Sequence, residues 1–571
     1  MENSSPSRAA HPYLVALLCA SAMLSLGFNM SPLIAQEHED NVNWRYYGND
    51  LANTRFQNVD QITTSNASEL KVAWVFHTGV NDSNMSMEMS PIVINGTMYV
   101  TTGKDDVFAL NAANGKQRWA YHPTDMPPLS SLPLCCSYNN RGVAYGNGLL
   151  FEARLDATLI ALNASNGSVV WKAVVDDWHN GYSMTIAPQF INGMVIVGVS
   201  GGEYLARGHV DAYDAATGNR LWRFYTTEPS TWAGDSYLHG GAPVWHNPTY
   251  DAQLGLLYVT TGNAGPDING VPRAGKNLYT VCVLALNAKA GTLQWYFQES
   301  HHDLWDYDAT SPAVLFTYNG IPAIAHQGKT GYTFILDRRT GTPLYPVNEV
   351  AVPTQPAWQN PWPTQPETDI ESLTPHSVAS VPSGYTAAPM WTPPQQKPLV
   401  MQPGADGGQE WPPDAYSPRT RFLYQHGRYQ PEAFSTSPTN TSGGTLPGWG
   451  SVTDVPPGQQ TYGKYGAIDT TTGKIAWQIT VPQPADSGFV VAGDVAFFGE
   501  SNGLFHAVDA ATGNMLWTFN AMTIHGAGGA TAAPVAYEVD GREFIANGFG
   551  GNPGEIYAPL GDAIIAFALP R

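Results

Sequence analysis

One pattern returns along the chain and limits what it can fold into. Ala, one further residue, Asp or Asn, a short turn ending in Gly, three residues and then Trp occur at Ala109–Trp119, Ala161–Trp171, Ala212–Trp222, Ala285–Trp295, Ala467–Trp477 and Ala507–Trp517. A weaker copy, Ile335 to Tyr345, carries Tyr in place of Trp. Each copy reads as a hairpin: Asp or Asn opens the turn by bonding its own backbone, Gly supplies a positive φ, and alternating apolar residues form the strands. Trp closes the second strand, where a flat ring can pack between neighbouring sheets. A unit repeated in this way cannot bury its apolar face alone and must stack on its copies.

Upstream of most copies lies another strand pair, such as Pro91–Val100 or Pro188–Val197. Two hairpins per repeat make a four-stranded antiparallel blade, and a ring of such blades is a β-propeller. The last strand, Ala563–Leu569, matches the Ala-containing strand but stops before a turn, while Leu70–Trp74 supplies a Trp strand without a partner. The two ends are therefore expected to complete one blade, giving an all-β, eight-bladed β-propeller with tryptophan-docking repeats. A β-solenoid is the weaker alternative, because the repeats are long and unequal.

Composition agrees with a folded, non-nucleic-acid-binding chain. With 17 Trp and 13% charged residues, against about 25% charged in an average soluble domain, the chain is too apolar to be disordered. Its net charge of −20 opposes a phosphate-binding surface, so no nucleic-acid partner is expected. Arg8, the apolar stretch Tyr13–Phe28 and the small residue Ala35 before Gln36 read as an export signal over 1–35, removed to leave a single domain over 36–571. No membrane span is expected after it, which places the protein in the periplasm.

A Pro-, Gln- and Ser-rich segment at about 346–406 interrupts the repeats. So long a connection reads as a covering loop or a mobile one. Beyond it, Gly407–Trp411 and Ala415–Pro418 look like an ordered part of another blade.

Two sets of residues stand out chemically. Cys135 and Cys136 are adjacent, either as two thiols or as a vicinal disulfide, and export favours the disulfide. Cys282 reads as a core thiol, and the lack of Cys-x-x-Cys-His argues against a covalent c-type haem. Glu203, Asn263, Asp306 and Asp308 follow strands of successive repeats, so they can converge at one rim of the ring. Oxygen donors of this kind suit a hard cation. His301 and His302 lack a matching second pair for zinc and read as a solvated turn.

With these motifs in hand, the chain resembles the pyrroloquinoline quinone (PQQ)-dependent alcohol dehydrogenases, the family of methanol dehydrogenase. The resemblance runs from Trp44 to the C-terminus through Cys135-Cys136 with Asn140–Gly142, Gly201-Gly202-Glu203, Gly240-Gly241 with Trp245, Thr261–Asn263 and Trp305-Asp306. It implies PQQ held between Trp245 and a Cys135–Cys136 disulfide, with Glu88, Arg141, Thr185, Ser200, Gly201 and Gly202 around the cofactor. Glu203, Asn263, Asp306 and Asp308 would bind the metal. Asp306 would be the catalytic base and Lys329 the cation at the reactive quinone oxygens. The implied reaction oxidises a small alcohol to an aldehyde by hydride transfer to PQQ, and a soluble c-type cytochrome would take the electrons.

Asp308 bears on the metal. Calcium-dependent members carry a small or uncharged residue there, whereas lanthanide-dependent members carry Asp, as in Asp306-Tyr307-Asp308. Three carboxylates match a trivalent lanthanide ion better than Ca²⁺. The chain departs from the best-known members at Glu410, where they have Asn and which is expected to place a further carboxylate at the cofactor rim, and at Ala485–Phe489, which lacks a Trp. The alternatives are a Ca²⁺-dependent PQQ dehydrogenase for another alcohol or a sugar, and a non-catalytic envelope scaffold. Oligomeric state is left open, a homodimer included.

Overall fold

The computed structural model describes residues 41–439, 451–453, 455–554 and 558–571. The proposed signal segment lies outside them. Eight sheets repeat one plan, four antiparallel strands in chain order. Blade 1 runs through Ile92–Ile94, Thr97–Thr101, Val107–Asn111 and Gln117–Tyr121. Blades 2 to 5 follow in sequence, from Ala144–Gly146 at the start of blade 2 to Thr342–Pro343 at the end of blade 5. Blade 6 starts at Ala415–Ser417 and ends at Lys474–Val481, and blade 7 covers Val490–Ala492 to Met515–Asn520. Blade 8 joins Val535–Val539, Arg542–Phe549 and Ala563–Ala568 to Lys71–His77 from the other end of the chain. The expected closure by both ends is what the structure has.

In each blade the first three strands are largely buried and the fourth is the most exposed. In blade 1 the first two strands are entirely buried, whereas the fourth is half-buried to exposed. That gradient explains the continuous apolar runs of the inner strands and the alternation of the outer ones. Phe56–Gln57 adds a parallel fifth strand to the inner edge of blade 7.

The recurrent Ala has a steric cause. It lies directly across the ladder from the recurrent Trp, as Ala109 with Trp119, Ala212 with Trp222, Ala285 with Trp295 and Ala566 with Trp74, and the register shifts by one residue beside each pair. A larger residue opposite would compete with the indole for the same space, and the bulge bends the strand around it. Each indole then reaches the next blade. Trp74 Nε1 donates to Ala112 O at 3.0 Å, Trp119 to Ala164 O at 3.1 Å, Trp171 to Ala215 O at 3.0 Å and Trp477 to Ala510 O at 3.0 Å.

The turn glycine lies flat under that ring. A Cβ on Gly218, at φ +72°, would stand 2.8 Å from the Trp171 ring, and one on Gly341, at φ +73°, 2.6 Å from the ring of Trp295. Gly is therefore required twice over, for the left-handed backbone and for the contact. Tyr345 does the same work in the weak copy, donating through its hydroxyl to Thr470 O at 2.7 Å. Trp517 faces blade 8, whose last two strands have no turn between them, and packs on Phe567 instead, with ring centroids 5.1 Å apart.

The segment between blades 5 and 6 is ordered where described. Val347–Ala351 pairs with Thr364–Thr368, and Leu399–Met401 joins a three-stranded sheet with Glu432–Ser435 and Ser451–Thr453. It packs on the Asp306 loop. Trp391 meets Trp305 and Tyr307 edge-on, Trp305 Nε1 donates to Thr392 O at 2.9 Å, and Tyr307 Oη donates to Pro403 O at 2.7 Å.

Candidate active site

One cavity of about 280 Å³ is lined by residues from several blades, among them Glu88, Cys135, Cys136, Arg141, Thr185, Ser200, Gly201, Glu203, Trp245, Asp306, Asp308, Lys329 and Glu410. Asn263 and Gly202 lie just behind that wall. A Cβ on Gly202 would be 3.3 Å from Pro243 and 3.7 Å from Asn263 Oδ1.

Inner-strand ends aim these groups. Glu203 lies on a single 3₁₀ turn, Gly202–Tyr204, entered through Gly201 at φ +109°. A Cβ at Gly201 would fall 1.9 Å from Gly181 O, so the chain can turn there only with Gly. Asp306 follows the loop of Asp303, whose carboxylate accepts the Asp306 N–H at 3.1 Å. Its backbone has φ +64°, a left-handed conformation in which a non-Gly residue is kept when a site requires it. Lys329 is tied to the same loop by its N–H to Asp308 O at 2.9 Å, and its carbonyl accepts from Gly408 N at 2.7 Å.

Electrostatics single out the acidic end. Lys329 Nζ lies 2.9 Å from Asp306 Oδ2, 3.3 Å from Glu410 Oε1 and 3.9 Å from Asp308 Oδ2. Asp308 also accepts from the Asn263 backbone N–H. Burial, reinforced by the neighbouring carboxylates and opposed by Lys329, raises Asp306 well above the carboxylate range and Asp308 to about 7. Burial raises Glu203 as well. Like charges held this closely in a buried site call for a cation.

Polar atoms without partners point the same way. Asn263 Oδ1 is fully buried and accepts no hydrogen bond, a costly arrangement unless something else is bound there. An all-oxygen set of carboxylates and one amide fits a hard cation.

At the other end, Arg141 pairs with Glu88 at 2.6 Å, donates to Thr185 Oγ1 at 2.7 Å and lies over the Trp245 ring, 4.7 Å from its centroid. Thr185 and Ser200 hydroxyls are 3.1 Å apart. Cys135 and Cys136 are joined as a disulfide. A flat ring, a disulfide, a guanidinium and hydroxyls form walls for a planar anionic ligand.

The structure corrects one expectation and adds residues. His301 and His302 are buried rather than solvated. The two ring nitrogens of His302 face backbone carbonyls, Nδ1 at Gly275 O, 2.7 Å away, and Nε2 at Gln359 O, 2.9 Å away, so the ring links two segments of the fold. Trp411, Arg428, Asp406 and Asn552 also line the cavity. Asp267 lies close to the acidic end: one oxygen each from Glu203, Asp267 and Asp306 fall within 4.8 Å of one another. In the sequence, Gly265-Pro-Asp-Ile-Asn-Gly270 reads as an ordinary turn, and nothing there marks Asp267 as part of a site. Cys282 is buried and free, as expected.

Comparison with known proteins agrees with this geometry. A family model described as glucose/ethanol/alcohol dehydrogenase, β-propeller domain, of the PQQ type, matches residues 44–443. A second model, outer membrane protein assembly factor BamB, matches 432–556. The quinohemoprotein alcohol dehydrogenase ADH IIB of Pseudomonas putida is 31% identical over 94% of this chain and 78% of its own length. The lanthanide-dependent methanol dehydrogenase of Methylorubrum extorquens is 32% identical over 88% of this chain and 86% of its own. A solved europium-containing methanol dehydrogenase superposes with a TM-score of 0.78 at 28% identity, covering 93% of this chain and 99% of that one. The chain therefore belongs to the PQQ-dependent alcohol dehydrogenase β-propeller family.

Proposed function

We propose that this protein is a periplasmic quinoprotein dehydrogenase that oxidises a small alcohol to an aldehyde, with PQQ as acceptor and a lanthanide ion preferred over Ca²⁺. The observation that carries the proposal is the convergence of Glu203, Asp306 and Asp308 on one cavity with Trp245, Arg141 and the Cys135–Cys136 disulfide. When bound, the quinone supplies the acceptor for hydride leaving the alcohol carbon, and the metal supplies a Lewis acid that strengthens it.

The chain's own residues do the rest. Trp245 and the disulfide offer faces for the planar ring, and Arg141, Thr185 and Ser200 offer donors for its carboxylates and polar edge. Gly201 lines the cavity, and Gly201 and Gly202 make the turn that carries Glu203 to it. Glu203, Asn263, Asp306 and Asp308 would hold the metal. Asp306 is the base: an alcohol hydroxyl within hydrogen-bond reach of its carboxylate gives up its proton there. Lys329 pairs directly with Asp306 at 2.9 Å and so favours its ionised form against the effect of burial, and its remaining N–H donors can meet negative charge growing on an oxygen beside it. Glu410 shares that ammonium and so holds it against the cavity wall.

Three carboxylates at the metal favour a trivalent ion, because a divalent one leaves one charge uncompensated in a buried site. A soluble c-type cytochrome is the proposed electron acceptor. Reconstitution with PQQ and either La³⁺ or Ca²⁺, followed by dye-linked oxidation of a series of alcohols, tests the reading. Lanthanide-supported turnover is expected; turnover with Ca²⁺ alone would remove the lanthanide assignment, and none with either ion would remove the enzymatic one.

A further inference from the structure

Asp267 is not among the four residues assigned to the metal, yet its carboxylate is aimed at them. It is 1% exposed. Oδ1 accepts from Asn263 Nδ2 at 2.5 Å, whereas Oδ2 has no hydrogen-bond partner. The nearby Arg273 guanidinium does not satisfy it, since its Nη2 donates to the Asp267 backbone carbonyl at 2.8 Å. A buried, unpartnered carboxylate oxygen is among the most expensive groups a fold can carry. One oxygen of the same carboxylate also lies within 4.8 Å of an oxygen each from Glu203 and Asp306. Oxygens bound to one large cation at about 2.3–2.6 Å lie at most about 5 Å apart, so all three fit around a single ion.

We propose that Asp267 is a fifth protein ligand of the metal, raising the ligand charge to four carboxylates and biasing the site toward a trivalent over a divalent ion. The proposal rests on the metal-site reading above. Asp267 also holds the Asn263 amide, so its two oxygens divide the work: Oδ1 orients Asn263, whose Oδ1 is left for the ion, and Oδ2 binds directly. The extra charge has a physical effect on selectivity. Each added anionic ligand attracts a trivalent ion more than a divalent one of similar size, in proportion to ion charge.

Eu³⁺ added alone to the metal-free full chain provides the test. Its luminescence lifetimes in H₂O and D₂O count bound waters, and the position of its sharp excitation line moves with the formal charge of its ligands. Asp267→Ala should weaken Eu³⁺ binding by about 100-fold, the upper end of what outer-shell changes cost, and admit about one additional bound water. Asp267→Asn keeps the shape and an oxygen to accept from Asn263 Nδ2. It should move the excitation line to that of a less charged shell and lower the Eu³⁺ over Ca²⁺ preference by about tenfold or more. A residue that merely orients Asn263 would leave the line where it is in Asp267→Asn.

Glu203→Gln serves as the reference. If Eu³⁺ binding falls in Glu203→Gln but neither Asp267 variant changes water count or line position, Asp267 is not a ligand and the four-residue site stands. If wild type and Glu203→Gln take up Eu³⁺ equally, the metal-site reading itself fails, and this inference with it.

Discussion

Replacing Lys329 with Met in the metal-free protein should destabilise it in a pH-dependent way. The ammonium is buried among Asp306 at 2.9 Å, Glu410 at 3.3 Å and Asp308 at 3.9 Å. Removing one partner of a buried ion pair costs about 3–5 kcal/mol, because the remaining charges stay desolvated without compensation. Unfolding entropy scales at about 2.1 cal/mol/K per residue, so a chain of 571 residues should lose about 2.5–4 °C in Tm at pH 7.5.

Acid should relieve this loss. Burial already raises Asp308 from 3.8 to about 7, so the stability tied to its neutral form is complete below 3.8 and is lost as pH rises through about 7. Lys329 is what opposes the rise, and without it the carboxyls go higher still. Each pH unit makes protonation about 1.4 kcal/mol easier per carboxyl. Moving from pH 7.5 to 5 therefore recovers about 3.4 kcal/mol through one proton in the variant. The wild-type Asp308 takes up the same proton for about 2.6 kcal/mol, so the deficit narrows by about 0.8 kcal/mol per carboxyl rather than vanishing. Calorimetry of both metal-free proteins at the two pH values measures this. Equal melting temperatures throughout, or a deficit that grows in acid, would refute the picture of carboxylates clustered around one ammonium.

Other consequences can be checked separately. Gly341→Ala should cost more than Trp295→Phe in thermal unfolding, because the added methyl meets the Trp295 ring at 2.6 Å on a left-handed backbone, while Phe loses one indole bond to Arg338 O worth about 1 kcal/mol. Replacing Cys135 and Cys136 together with Ser removes the smallest ring a disulfide can close, worth about 1 kcal/mol in chain entropy. PQQ affinity, followed by calorimetric titration, should fall far more than Tm; equal affinity would take the disulfide off the cofactor wall. Asp308→Ala should abolish lanthanide-supported turnover, and unchanged turnover would exclude Asp308 from the site.

Fold and site were legible to different depths. The Ala–Trp repeat carried the architecture because both partners of each ladder pair appear in the sequence at fixed spacing, with the turn Gly that the indole requires. Even the split blade could be read, since Trp74 and Ala566 are the two halves of one such pair. The proposed site residues Glu203, Asn263 and Asp306 were visible through their positions after inner strands and through family motifs. Asp267 was not, because an Asp in a Gly-Pro-Asp turn is indistinguishable from a local cap until the folded chain removes its partners. His301 and His302 failed for the opposite reason: the ordered segment covering them, including Gln359 and Gln365, has no periodic pattern to announce that it packs.

The most direct test of the central claim is reconstitution of the metal-free chain with PQQ and a metal. With La³⁺, dye-linked alcohol oxidation should appear, should exceed that with Ca²⁺, and should vanish in Asp306→Asn while the variant still binds PQQ. Undiminished oxidation by Asp306→Asn, or none by the wild-type protein with either ion, would contradict it.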